Sequence, residues 1–97
     1  MTVAVRVLGP LQVVINGVDV TPPAPKERSL LAMLVLNRGR VVSADHLIEE
    51  LWPTLAADRG RRVLQVRVAA LRKLLREADA SLMVESVAGG YVLAVAA

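Results

Sequence analysis

One stretch of this chain, Arg59 to Arg76, limits its folds more than any other. It holds seven basic residues, Arg59, Arg61, Arg62, Arg67, Arg72, Lys73 and Arg76, and no Asp or Glu. It also carries Leu64, Val68, Leu71 and Leu75 at i, i+4, i+7 and i+11, the period of one helical face. The spacing predicts a third helix over about Arg59–Ala78, with Asp58 as its cap. Its apolar stripe has to be buried by other elements while its cations stay in solvent. A block of one charge sign, with no interleaved carboxylates for i,i+4 pairs, is the electrostatic footprint of a nucleic-acid binder.

The partners for that stripe come earlier in the chain. Lys26 to Leu36 reads as a first helix, with Leu30, Leu31 and Leu34 on one face and Met33 beside them. It is apolar nearly all round beyond Ser29, which predicts a buried central helix. Asn37-Arg38-Gly39 stops it, and Arg40-Val41-Val42 is a short extended link. Ser43 is a good N-cap for a second helix, Ala44 to Leu51. Its apolar positions are Ala44, Leu47, Ile48 and Leu51, and Trp52-Pro53 ends it. His46 falls on its surface. Thr54 to Gly60 then forms a loop.

Strands flank this helical middle. Val3, Val5 and Val7 alternate with Ala4, Arg6 and Leu8 until Gly9-Pro10 breaks the run. Leu11 to Ile15 and Val18 to Val20 surround Asn16-Gly17, a strong hairpin signal. The prolines at 22, 23 and 25 keep that segment out of helix and central strand. At the other end, Leu82–Val87 and Tyr91–Val95 form a hairpin turning at Ala88-Gly89-Gly90. The order is strands, helix, helix, helix, hairpin. Helices two and three make a helix-turn-helix pair, and the hairpin is a wing. The fold class is therefore α+β, a winged helix-turn-helix in one domain over residues 1–97.

Composition excludes much else. With no Cys and one His, disulfides, thiolate metal sites and clustered imidazole ligands are ruled out. Neither a catalytic constellation nor a cofactor is indicated, and Gly89-Gly90 is a hairpin turn rather than a phosphate loop. The longest apolar run, Leu30 to Leu36, is far short of the ~18 residues of a membrane span. A cytoplasmic location is expected.

An α-helix fits the major groove of B-DNA. At about 100° per residue, Arg62, Val66 and Lys73 point most directly away from the core stripe, with Ala69 and Ala70 between them. Arg59, Arg67 and Arg72 sit on the flanks, where long side chains can swing outward. The candidate DNA-contacting residues are Arg59, Arg61, Arg62, Val66, Arg67, Ala70, Arg72 and Lys73. Small residues let the helix approach base edges. Val66, Ala69 or Ala70 suits a thymine methyl, and Arg62 or Arg67 suits guanine O6 and N7.

These residues also resemble a known family, the OmpR-type winged-helix effector domain, in its actinobacterial antibiotic-regulator (SARP) form. The resemblance is carried by Val7-Leu8-Gly9-Pro10-Leu11, by Lys26 to Leu36, and by Arg40-Val41-Val42-Ser43. Leu47-Ile48-Glu49-Glu50-Leu51-Trp52, Leu64-Gln65 with Val68, Leu71-Arg72-Lys73-Leu74-Leu75, and Gly90-Tyr91-Val92-Leu93 complete it. It implies a transcription regulator, commonly an activator, that binds tandem direct repeats of double-stranded DNA as a head-to-tail homodimer. Helix three would enter the major groove and the wing would lie near the minor groove or backbone. The loop Pro53 to Gly60, with Thr54, Leu55 and Asp58, would face RNA polymerase. By the same resemblance Arg62, Arg67 and Lys73 are groove-side and Arg72 is phosphate-side. Trp52 either reaches a phosphate or plugs the core. Gly90 and Tyr91 lie at the base of the wing, where packing is the simpler role for Tyr91. Two departures stand out. Many relatives carry a polar residue at the places of Ala69 and Ala70, and an Arg at the wing tip. An adaptor that contacts RNA polymerase and binds DNA weakly is therefore the alternative.

Overall fold

A computed structural model describes residues 3–6, 11–78 and 80–95. The Val7-Leu8-Gly9-Pro10 part of the family resemblance lies outside the described residues. The chain begins with a three-stranded antiparallel sheet, β1 (Val3–Arg6), β2 (Gln12–Ile15) and β3 (Val18–Asp19), in the order β1-β2-β3. Asn16 and Gly17 both take positive φ, 51° and 78°. That is the backbone a tight two-residue hairpin needs and the reason Asn-Gly signals one. In the register Val3 faces Ile15 and Val5 faces Val13, so these valines line the side that packs on the core.

Helix α1 spans Pro25–Leu36, one residue earlier than expected: Pro25, read as excluded from helix, takes the first helical position, where no backbone donor is missed. It is the central helix expected: Leu30, Leu31, Leu34 and Val35 are buried, and it packs against β1, β2, both other helices and the C-terminal hairpin. Helix α2 spans Ala44–Leu51. Its Ser43 cap is as expected, with the Ser43 hydroxyl accepting from the His46 backbone N–H at 3.1 Å.

Helix α3 covers Ala57–Glu77, starting two residues earlier than its sequence pattern suggests. Asp58 is therefore not the cap. It lies in the first turn, and the N-cap is Ala56, whose carbonyl accepts from Gly60 N–H at 2.8 Å. The expected loop from Thr54 to Gly60 shortens to residues 52–56. Gly60, expected as the last residue of that loop, lies inside α3. It is buried against Ile48, and a Cβ built there would sit 2.6 Å from Ile48 Cγ2. Its missing side chain lets the first turn of α3 cross α2 closely.

The second sheet joins the link before α2 to the hairpin. Strand β4 (Val42–Ser43) pairs with β6 (Gly90–Val95), which pairs with β5 (Leu82–Val87), in the order β4-β6-β5. The link was expected to be merely extended; its pairing with β6 is a finding of the structure. The hairpin turn is also tighter than expected. Val87 pairs with Gly90, leaving Ala88-Gly89 as the turn, with Gly89 at φ 80°. Gly90 belongs to β6, and any side chain there would run into the Val42 carbonyl. The core gathers Val13, Ile15, Leu30, Leu31, Leu34, Leu47, Leu64, Val68, Leu71, Leu75 and Leu93 between the two sheets and three helices. Among the described residues no helix is long and apolar enough to cross a membrane.

Candidate nucleic-acid interface

Helix α3 is the longest element, and its faces are sharply divided. Gly60, Leu64, Val68, Leu71 and Leu75 are buried, as the apolar stripe predicts. Opposite them Arg59, Arg62, Val66, Ala69 and Lys73 are all exposed. Val66 keeps 63% exposure, an aliphatic side chain held in water between cations. The outward face expected from the sequence is therefore solvent-facing, with Ala70 half-buried at its edge.

The two flanks differ. One faces the wing. Arg61, Leu64 and Gln65 line a groove closed on the other side by Ser86, Val87, Gly89, Gly90 and Tyr91, with Ala44 at its end. Gln65 and Ser86 were not singled out by sequence reasoning. Gln65 lies about 90° from the outward axis at 100° per residue, on the same flank of the wheel as Arg72. Ser86 had no signal in the sequence, because only the folded hairpin brings it to α3. Arg72 also turns to the wing. Its Nε–H donates to the Val84 carbonyl at 3.0 Å and its terminal nitrogen to the Ser86 hydroxyl at 2.8 Å. The expected outward swing of Arg72 does not occur, because edge strand β5 offers it two acceptors.

The other flank faces α1. Arg67 was also expected to swing outward, and it does not. Its guanidinium donates to Glu27 Oε1 at 2.8 Å. Glu27 is the one buried charged residue among the described residues, and the sequence reading missed it. The bond spans forty positions, beyond any local spacing rule.

Carboxylates from outside the basic block approach three more of its cations. Arg61 lies 4.0 Å from Asp45, Arg62 3.9 Å from Asp58, and Lys73 3.9 Å from Glu77. All six side chains are largely exposed. Such pairs are worth about 0–1 kcal/mol and are screened by salt, so a phosphate can displace them. Arg59 has no carboxylate partner among the described residues.

The remaining candidates lie around this face. Trp52 ends α2, with its backbone N–H on the Ile48 carbonyl at 2.8 Å. The side chain is half-buried against the core and borders a hollow with Asp45, Glu49, Pro53, Leu55 and Arg61. Thr54 is exposed and Leu55 half-buried in the connection, and Asp58 is exposed in α3. Tyr91 is half-buried against the core and pairs with Val42, at the foot of the wing. His46 is exposed on α2.

Comparison with known proteins places this arrangement. The family model described as "Transcriptional regulatory protein, C terminal" matches residues 19–93. The transcriptional regulatory protein EmbR of Mycobacterium tuberculosis is 41% identical over 90 residues, covering 91% of this chain and 23% of EmbR. The transcriptional regulator RedD of Streptomyces coelicolor is 35% identical over 95 residues, covering 94% of this chain and 27% of RedD. The chain thus spans about a quarter of the length of these relatives. A solved structure, M. tuberculosis EmbR in complex with a low-affinity phosphopeptide, superposes with a TM-score of 0.74 at 38% identity. It covers 96% of this chain and 25% of that one.

Proposed function

Because the chain belongs to the family of transcriptional regulatory protein C-terminal domains, in its SARP form and alongside regulators rather than enzymes, we propose that it binds double-stranded DNA as the effector domain of a bacterial transcription regulator. The observation that carries the proposal is the outward face of α3. Arg59, Arg62, Val66, Ala69 and Lys73 stand exposed on it, and the wing lies along one flank.

In this reading α3 enters the major groove. Arg62 and Lys73, whose side chains are 75% and 71% exposed, exchange weak surface pairs for phosphates or base edges. Arg62 has the donor fork for guanine O6 and N7, and Val66 has the apolar surface for a thymine methyl. Ala69 and Ala70 let the helix lie close to the bases. Arg59 and Arg61 neutralise phosphates on either side, and a backbone strand follows the groove between Gln65 and the turn at Gly89. Gly90 and Tyr91 form the foot of that groove, and Trp52 borders the neighbouring hollow beside Arg61. Most of the affinity comes from the backbone contacts, as in other DNA-binding domains. The connection of residues 52–56, with Thr54 and Leu55, faces RNA polymerase, Asp58 follows it in α3, and the regulator acts in the cytoplasm as an activator. Two copies bind head to tail on direct repeats.

The adaptor reading draws support from Ala69 and Ala70 and from a wing tip, Ala88-Gly89, without a cation. Titration of a duplex carrying direct repeats decides between the two. DNA binding predicts a saturable shift below micromolar concentration that falls steeply with salt. Arg62→Ala weakens it by about 1–3 kcal/mol where Arg62 meets a base. A shift absent at moderate salt favours the adaptor, and a shift unchanged by Arg62→Ala counts against α3 as the contacting helix.

A further inference from the structure

We infer that Glu27 withholds Arg67 from DNA, so that this contact between α1 and α3 sets how tightly the domain holds DNA of any sequence. The inference rests on the DNA-binding reading above. Arg67 lies five residues beyond Arg62, about 140° round the helix, on the flank that faces α1. On its outer side it borders a hollow with Arg59, Arg62, Val63 and Val66. On its inner side it meets Glu27, which lines a separate hollow with Pro22, Pro23, Ala70, Lys73, Leu74 and Glu77. Its side chain keeps 42% exposure against 12% for Glu27. It therefore stands at the margin of the proposed interface, within a rotamer change of it.

The geometry holds it inward. At 2.8 Å the Arg67–Glu27 bond is far shorter than the other three ion pairs on α3. Its acceptor lies in the first turn of α1, where the helix dipole holds a negative charge. Moving Arg67 to a phosphate would leave a buried carboxylate unpaired. A solvated phosphate contact does not compensate for that. Arg61, Arg62 and Lys73 face no such obstacle, because their carboxylate partners return to water. Glu27 is thus a positioning residue that keeps one cation out of a row of otherwise available ones. Fewer phosphate contacts weaken binding to every sequence alike and leave base contacts with a larger share of the total.

The test uses four versions of the 97-residue chain: wild type, Arg67→Met, Glu27→Met and the double variant. Each is titrated with a generic duplex across a salt series. Each phosphate neutralised contributes about 0.9 to the slope of log affinity against log salt. The slopes of wild type and Arg67→Met should coincide. Glu27→Met should bind more tightly with a slope steeper by about 0.9, and the double variant should return to the wild-type slope. If Glu27→Met does not fold, Glu27→Gln takes its place with the same expected direction. A slope shallower by about 0.9 in Arg67→Met overturns the inference, as does an unchanged slope in the folded Glu27 variant. Elution from heparin separates this from the DNA reading itself. A wild-type chain that binds no duplex counts against the DNA reading alone. Glu27→Met should still elute at higher salt than wild type, and an unchanged elution would overturn the release of Arg67.

Discussion

Replacing Gly60 by Ala tests the packing that aims α3. Helix propensity alone makes the change favourable. Alanine is about 1 kcal/mol better than glycine inside a helix, and Gly60 lies in the first turn of α3. The structure opposes this. The added Cβ would stand 2.6 Å from Ile48 Cγ2, where carbon atoms normally rest about 3.5–4.0 Å apart. Ile48 is buried at 8% exposure, and its β-branched side chain has little freedom at χ1. The clash is therefore relieved by moving the two helices apart, an overpacking cost of roughly 1–3 kcal/mol. The net expectation is a loss of about 1 kcal/mol, or about 4–8 °C in Tm for a domain of this size. Ile48→Ala removes the obstructing methyl and by itself costs about 2–5 kcal/mol. In that background Gly60→Ala should become stabilising by up to about 1 kcal/mol. Thermal and urea unfolding of the four proteins in this cycle give the coupling, expected at about 1–3 kcal/mol. If Gly60→Ala stabilises both backgrounds equally, the close crossing does not exist and the argument fails.

Two further expectations concern the sheets. Arg72→Met keeps the aliphatic stem but loses the bonds to Val84 and Ser86. It should cost about 0.5–1.5 kcal/mol and speed hydrogen exchange in β5 while leaving α1 unchanged; equal acceleration in both would refute a local role. The Asp19 carboxyl is held below its ordinary value by the Thr21 hydroxyl, which donates to it, and then by the Thr21 backbone N–H. A depressed carboxylate stabilises the fold above its unfolded value. That stability is lost as pH falls through the folded value, so the effect lies at and below the ordinary aspartate range. In an NMR titration Thr21→Val should raise the Asp19 midpoint, and identical midpoints would remove the hydroxyl as the cause.

Local chemistry made most of the fold readable. The Asn16-Gly17 turn, the Ser43 cap, the Pro53 stop and the apolar period of α3 each depend on neighbours a few positions away. What stayed hidden depends on distant pairs. Gly60 carries the same letter whether it breaks a helix or lets one pass another, and only Ile48 decides. Glu27 looks like one more surface acid on α1 until Arg67 arrives from forty positions on. Arg72 looks free until β5 is beside it. The basic block has no acids of its own, yet the fold brings Asp45 and Glu27 to it, and the helix turns Asp58 and Glu77 at its two ends back onto Arg62 and Lys73. The outward stripe of the candidate interface was thus legible in periodicity. The fate of each flanking arginine was not, because a helical wheel contains no second element.

The β4–β6 ladder has one more consequence. The Ala44 N–H donates to the Gly89 carbonyl at 2.9 Å and the Gly39 N–H to the Leu93 carbonyl at 3.0 Å. The hairpin and the start of α2 are therefore joined through main-chain atoms, which every amino acid except proline supplies alike. A substitution at Ala88 can change chemistry without disturbing the stance of the hairpin beside α3, whereas Gly89, at φ 80°, and Gly90, against the Val42 carbonyl, hold the turn itself. On the DNA-binding proposal, target preference can in this way change one side chain at a time, on a chassis that does not shift beneath it.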